Sequence, residues 1–185
     1  MNNESKTSRK MTVLPTSRII GLGAMGWISM LGIDFFLHAG LLAKLYAQPG
    51  PFLLPPEDAF RLIPIGYLSF LLLDVLILWL IIRLEITGWQ RGLSFGLTIG
   101  GLIWGAMALG LLSISTASPS LMLGWFAGQS VELGVAGAVI GSGLSGTSLR
   151  KILVRVIVLI LVLVVATIIM QNTGFIAKVY FTDRI

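Results

Sequence analysis

The chain has 185 residues, of which 56% are hydrophobic and 11% are charged, and its mean hydropathy is +0.94. Soluble domains carry about 25% charged residues, so this composition excludes a soluble monomeric domain and predicts a membrane protein. The formal net charge of +5 does not indicate nucleic-acid binding, because the basic residues follow the membrane topology described below. The sequence has no cysteine, which excludes disulfides, thiolate metal ligands and a cysteine nucleophile within it.

Five continuously apolar segments reach the roughly 20 residues that a helix needs to cross a bilayer. They do not alternate between apolar and polar residues, which argues against the strands of a membrane barrel. We therefore predict an all-α, polytopic bundle of five transmembrane helices, with a polar basic tail at 1–18 and an interfacial tail at 171–185. The predicted transmembrane domain is 19–170, and its spans are about 19–43, 62–82, 92–113, 121–143 and 152–170.

The basic residues predict the orientation of these spans. Nine of the 13 lysines and arginines lie in the N-terminal tail, between spans two and three, and around the connection of spans four and five. Because cytoplasmic loops are enriched in basic residues, we expect a cytoplasmic N-terminus and an extracytoplasmic C-terminus in a bacterial inner (cytoplasmic) membrane. The first apolar run exceeds the core of about 7–15 residues in a signal peptide, so we expect it to be retained.

The first span contains an acid, Asp34, and the only histidine, His38, four residues apart and hence on one helix face. Asp74 in span two and Glu132 in span four fall near the bilayer centre when depth is counted at about 1.5 Å per residue. An acid at helix centre costs about 2.5–3.5 kcal/mol on the insertion scale before it finds a partner. We therefore expect these four side chains to converge on an inward cavity.

Two further polar or aromatic side chains, Gln129 and Trp104, are candidates for the same site. Such a site could bind an organic cation through charge and cation–π contacts, coordinate a divalent metal, or pass protons. A metal is disfavoured, because only one nitrogen ligand exists and no compact ligand motif is present. The alternative is a purely structural polar cluster, in which the acids only bond to neighbouring groups.

Spans three and four are rich in glycine, whereas span five has none. Small residues four positions apart let helix backbones approach closely. We predict that spans three and four form a tight pair, and that span five is peripheral, facing lipid or another subunit. The predicted packing positions are Gly96, Gly100, Gly101, Gly105, Gly124 and Gly128.

The first predicted loop, from Leu45 to Phe60, reads LYAQPGPFLLPPEDAF. This stretch resembles the first loop of the tryptophan-rich sensory (translocator) proteins, a five-span family that binds porphyrins and other apolar ligands, over about a tenth of the chain. The later spans lack the aromatic and asparagine signatures of that family, and the expected orientation is reversed. More generally, the chain is similar to small multi-pass membrane proteins of bacteria with an acid in an early span and a glycine-rich later pair. Neither resemblance assigns a role to a residue.

The sequence favours a non-enzymatic function, in which a polar intramembrane site binds or transports a small ligand, a cation or a proton. The alternative is an accessory subunit of a larger membrane complex. An enzyme is disfavoured, because no HExxH, GxSxG or GxxxxGK[ST] motif occurs, and no motif indicates a cofactor. The expected partners are the lipid bilayer and a membrane protein or a second copy of the chain, with no nucleic acid.

Overall fold

The computed structural model describes residues 15–46 and 51–174, and within these ranges it contains helices and no strands. Five of the helical segments are long and apolar enough to cross a membrane, which confirms the predicted all-α class and the number of candidate spans. Most of the two predicted tails, and four residues of the first loop, lie outside the described ranges. The elements are α1 (Thr16–Phe36), continued by a π-helical turn (Leu37–Leu41), then α2 (Ala43–Tyr46), α3 (Pro56–Arg83), α4 (Trp89–Ile114), α5 (Pro119–Leu144) and α6 (Leu149–Asn172).

The helices extend beyond the apolar runs from which they were predicted. Helix α3 begins at Pro56, which needs no partner for a backbone N–H, and Glu57 and Asp58 follow in its first turn, where acids complement the helix dipole. Helix α5 also begins with a proline, Pro119, and the hydroxyl of Ser118 accepts a hydrogen bond from the first turn. These end signals lie in polar sequence, so spans predicted from hydropathy alone begin several residues after the helices do.

Helix α5 is the centre of the bundle, and half of its most apolar window is buried inside the protein. It packs against α1, α3 and α4, and α1 in turn packs against α6 along its length. The contacts show that α1 runs antiparallel to α5 and parallel to α6. In register order, Leu22 meets Gly143 and Leu37 meets Gly128, whereas Gly21 meets Leu149 and Gly32 meets Ile160.

Helices α4 and α5 pack with their backbones in direct contact. A Cβ atom on Gly96 would overlap the carbonyl oxygen of Leu133, and one on Gly100 would lie 2.8 Å from the Cα of Ser130. Real Cβ atoms do not come this close to other atoms, so only glycine fits at these positions. Gly96 and Gly100, two of the predicted packing positions, lie in this contact, and Gly92, Gly134, Gly137 and Gly141 extend it.

The other predicted glycines do not belong to this contact. Gly124 and Gly128 of α5 face the side chains of Leu42 and Leu37, with Cβ positions 2.7 Å from each of them, so they pack on the end of the first span and not on α4. The reason is that the central helix meets two neighbours and uses its N-terminal glycines against the end of the first span. Gly101 and Gly105 of α4 only approach the ring of Phe126, at 4.0 and 3.4 Å from the Cβ positions.

The basic ends of the spans meet at one end of the bundle. The guanidinium of Arg18 donates hydrogen bonds to the carbonyl oxygens of Gly143, in the last turn of α5, and Thr147, just after it, at 2.8 and 2.9 Å. The backbone N–H of Gly88, which precedes α4, donates to the carbonyl oxygen of Gly141 at 2.9 Å. We call this end, formed by the start of α1 and the connections 84–88 and 145–148, the basic end.

Candidate functional site: buried carboxyl groups

Asp34 and His38 form a hydrogen-bonded pair, which is an ion pair when the imidazole is protonated, where the first span changes from α-helix to a π-helical turn. The Nδ1 atom of His38 lies 2.8 Å from the Oδ1 atom of Asp34 and 3.0 Å from its carbonyl oxygen. Both neighbours accept hydrogen bonds, so Nδ1 carries the hydrogen and Nε2 is left to take or release a proton. The side chains of His38 and Asp34 are 33% and 12% exposed, so the imidazole is the accessible end of the pair. Single π-helical turns occur frequently at functional sites.

An aromatic cap, formed by Tyr46, Phe52 and Trp125, covers the site on the side away from the basic end. The ring of Tyr46 packs on the imidazole of His38, with centroids 5.0 Å apart, and the ring of Phe52 packs on Trp125 at 6.0 Å. The indole N–H of Trp125 donates a hydrogen bond to the Tyr46 hydroxyl oxygen. Burial raises the pKa of the Tyr46 hydroxyl above its ordinary value, so this hydroxyl keeps its proton.

Glu132 and Gln129 lie one helical turn apart on the buried face of α5. The side-chain amide of Gln129 donates to the Oε1 atom of Glu132 at 2.9 Å, and these residues are 4% and 0% exposed. In the antiparallel register of α1 and α5, Leu37 meets Gly128, so Asp34 and Glu132 lie at about the same level of the bundle. Among the described residues, the Oε2 atom of Glu132 and the Oε1 atom of Gln129 have no hydrogen-bond partner. We call Asp34, His38, Gln129 and Glu132 the carboxyl cluster.

Asp74 occupies a second, separate position. Its carboxyl group lies against two glycines of α1: a Cβ atom on Gly26 would overlap Oδ1, and one on Gly23 would lie 3.5 Å from Oδ2. Gly26 precedes Asp34 by eight residues, or about 12 Å along the helix axis. The predicted convergence of all four side chains is therefore wrong for Asp74, which sits about two turns nearer the basic end. It is 1% exposed, and neither carboxyl oxygen has a partner within the described ranges.

Trp104, the remaining candidate, packs against the apolar core of the bundle, and its buried indole N–H also has no acceptor among the described residues. Within the described chain, no hydrogen bond joins it to the acids. Sequence reasoning also missed the niche of Asp74, although the signal is present as glycines three residues apart, Gly23 and Gly26, in the first span. The indole N–H of Trp27 donates to the carbonyl oxygen of Tyr67 at 3.0 Å and joins α1 to α3.

Fold and site together define a class: an all-helical protein with five helices long and apolar enough to cross a membrane, and with acidic side chains buried between them. No protein-family model, curated protein or solved structure matches this chain. The functional assignment therefore has to come from the chemistry of the buried acids.

Proposed function

We propose that this chain is a non-enzymatic integral membrane protein that binds and exchanges a proton, or a small cation in its place, at carboxyl groups inside a five-span bundle. The observation that carries the proposal is the shortage of donors at buried acids. Three carboxyl oxygens, both of Asp74 and one of Glu132, have no hydrogen-bond partner in the described part of the chain. The proposed role is binding or transport across the cytoplasmic membrane.

The energetic argument concerns the charge of these groups. An ionised carboxylate taken out of water without a partner costs several kcal/mol even after relaxation. In the described ranges, the one ion pair within the spans is that of His38 with Asp34, and the guanidinium of Arg18 is bound to backbone carbonyls at the basic end. Asp74 and Glu132 therefore need a proton or a bound cation to be stable where they are.

A purely structural role fits these two acids less well. A polar side chain with a structural role joins neighbouring helices through a hydrogen bond. Trp27 is an example, because its indole N–H donates to a carbonyl oxygen of α3. Glu132 receives its hydrogen bond from Gln129, a residue of its own helix, so this bond joins no two helices. Asp74 faces glycine backbone instead of a donor, and the close contact with Gly26 leaves room for a proton more readily than for a large ligand.

The arrangement also supports a direction. We place the basic end in the cytoplasm, because basic loops are retained there. The accessible imidazole of His38 then lies toward the outer side, Asp34 and Glu132 lie deeper, and Asp74 lies nearest the cytoplasm. When Nε2 of His38 takes up a proton, the imidazolium can release its Nδ1 proton to Asp34, from which a proton would pass to Glu132 and then to Asp74, with water bridging the longer last interval.

Proton flux into liposomes tests the proposal. Purified protein is reconstituted with a trapped pH-sensitive dye, a potassium diffusion potential is imposed, and the internal pH is followed. We expect flux above that of empty liposomes, and its loss in the near-isosteric variants Asp74→Asn and Glu132→Gln. The matched control is Glu57→Gln, because Glu57 is exposed in the first turn of α3 and outside the cluster.

Three outcomes would contradict the proposal. The first is a flux no greater than that of empty liposomes, with sodium or potassium gradients equally without effect. The second is a normal flux in both Asp74→Asn and Glu132→Gln, which would assign the acids a structural role. The third is stoichiometric co-purification with other membrane proteins and no ion exchange, which would favour the accessory-subunit alternative. Circular dichroism and gel filtration establish that each variant is folded.

A further inference from the structure

A lateral groove of about 450 Å³ opens between α5, α6 and the start of α4, away from the carboxyl cluster. Helices α5 and α6 touch only sparsely, because α6 packs chiefly on α1, and the groove fills the space between them. Its volume lies within the range of about 300–1,000 Å³ that is usual for small-molecule sites. The lining residues are Trp89, Val135, Ala138, Val139, Ser142, Ile152, Arg155, Val156 and Leu159.

The two ends of this groove differ in chemistry. Trp89 is the first residue of α4, and Ser142 lies in the last turn of α5, so both mark the basic end. Arg155 lies six residues after the start of α6, or about 9 Å into the helix. Val135 and Leu159 lie deeper, and the lining there is entirely apolar. The groove therefore combines a cationic, aromatic entrance with an apolar interior.

Arg155 has no anionic partner in the described part of the chain. Among the described residues it makes no hydrogen bond and no ion pair, and no acidic side chain lines the groove. An arginine at this depth in a membrane helix is unfavourable unless it reaches the interface or meets an anion. Its guanidinium donates two parallel hydrogen bonds to a phosphate group better than any other side chain.

We propose that this groove binds one anionic glycerophospholipid, with the headgroup phosphate on Arg155 and part of an acyl chain along the apolar interior. Charge and shape together identify the occupant. The guanidinium of Arg155 favours an anion, and the apolar lining favours a hydrocarbon chain. The entrance opens at the basic end, where anionic headgroups lie. Tryptophan at the entrance suits the same interface. The inference requires membrane insertion but not proton exchange, so either proposal can fail alone.

The test compares two arginines of α6 that carry the same charge. Arg155 lines the groove, whereas Arg150 lies exposed in the first turn, outside it. Protein in phosphatidylcholine nanodiscs is titrated with phosphatidylglycerol, and the bound lipid is counted by native mass spectrometry while the melting temperature is followed. We expect one tightly bound phosphatidylglycerol and a raised melting temperature for the wild type and for Arg150→Gln. Loss of a bidentate, charge-assisted contact in Arg155→Gln should weaken binding at least about tenfold.

Arg155→Lys provides a second variant that keeps the charge, and it should retain a preference for phosphatidylglycerol over phosphatidylcholine. Equal losses in Arg150→Gln and Arg155→Gln would overturn the proposal, since general surface charge would then explain the binding. The same stabilisation by inorganic phosphate, without an acyl chain, would overturn it too. So would a protein retained stoichiometrically in the groove in place of lipid.

Discussion

Replacing Gly96 and Gly101 separately by alanine probes the contact between α4 and α5, because the two glycines share a helix but not a face. A Cβ atom on Gly96 would overlap the carbonyl oxygen of Leu133, whereas one on Gly101 would lie 4.0 Å from Phe126 and from Ser130. The first alanine must push the helices apart. The second fits at ordinary van der Waals distance, so it leaves the interface unchanged.

The size of this effect on the free energy of unfolding can be estimated from the geometry at Gly100, one turn further along α4. A Cβ on Gly100 would lie 2.8 Å from the Cα of Ser130, so the helices would have to separate by about 0.6 Å to reach ordinary contact at 3.4 Å. A gap of about 0.5–1 Å forfeits a quarter to a half of each dispersion contact, and overpacking costs about 1–3 kcal/mol. Alanine in a helix interior gains up to about 1 kcal/mol over glycine in either position. The overlap at Gly96 is larger than that at Gly100, so the cost lies at the upper end of this range. After the helix-propensity gain, we expect Gly96→Ala to lower the free energy of unfolding by about 2 kcal/mol, and Gly101→Ala to leave it unchanged or raise it slightly.

Unfolding in mixed micelles of a mild detergent and dodecyl sulfate measures this difference. Tryptophan fluorescence follows the transition, since the chain has five tryptophans, and circular dichroism checks that the variants have wild-type helix content. Equal stability of Gly96→Ala and Gly101→Ala would refute the reasoning, because it would mean that α4 and α5 are not in backbone contact.

Three further predictions concern topology and packing. In this cysteine-free chain, Thr87→Cys should react with an impermeant thiol reagent only from the cytoplasmic side and Thr116→Cys only from the outside; the reverse pattern would contradict the orientation. Arg18→Met removes two charge-assisted hydrogen bonds to backbone carbonyls and should lower the free energy of unfolding by about 1.5–3 kcal/mol, so an unchanged midpoint in the mixed-micelle titration would argue against this tie. Val162→Leu, at a 59% exposed position of α6, should be neutral in the same titration, and a loss of stability would indicate a covered face.

The positions chosen for labelling depend on the structure. The connection between α3 and α4 includes Gly88, whose φ of 92° strains any other residue, and its backbone N–H is bonded to α5. In the opposite connection, Ala117 is 7% exposed and belongs to an apolar cluster. Thr87 and Thr116 are the exposed neighbours, so cysteine there reports on the side of the membrane without disturbing the fold.

Hydropathy was sufficient to predict the five helices, because a long apolar run has few alternatives to a spanning helix. The rotation of each helix about its own axis could not be predicted in this way. Small residues spaced by four predicted that α5 would pack closely, and it does, but periodicity alone does not say which neighbour each face meets. Gly128 therefore packs on Leu37 of the first span, while Gly137 meets α4. A central helix has two such faces, and only the assembled bundle distinguishes them.

In the candidate site, too, contacts within one helix could be predicted from the sequence, whereas contacts between helices could not. The pairing of Asp34 with His38 could be predicted, since residues four apart share a helix face. The grouping with Glu132 depends on equal depth, and the register of α1 and α5 places Asp34 and Glu132 at about the same level. Counting failed for Asp74, whose carboxyl group lies at the level of Gly26, because α3 begins at Pro56, before the predicted span, and Asp74 is therefore nearer the basic end. The groove at Arg155 arises from the separation of α5 and α6, which no local pattern encodes.

Infrared difference spectroscopy of the carboxyl C=O stretch tests the central claim most directly, because it observes the proposed exchange at the acids themselves. The purified protein is compared at neutral and alkaline pH and in H₂O and D₂O, with Asp74→Asn and Glu132→Gln used to assign the bands. We predict a carboxylic-acid band in the wild type at neutral pH that shifts in D₂O, disappears when the proton is removed or displaced by a cation, and is absent from at least one of the two variants. A wild-type spectrum that loses no carboxylic-acid band in either variant, and shows no carboxylate response to added sodium or potassium, would contradict the account.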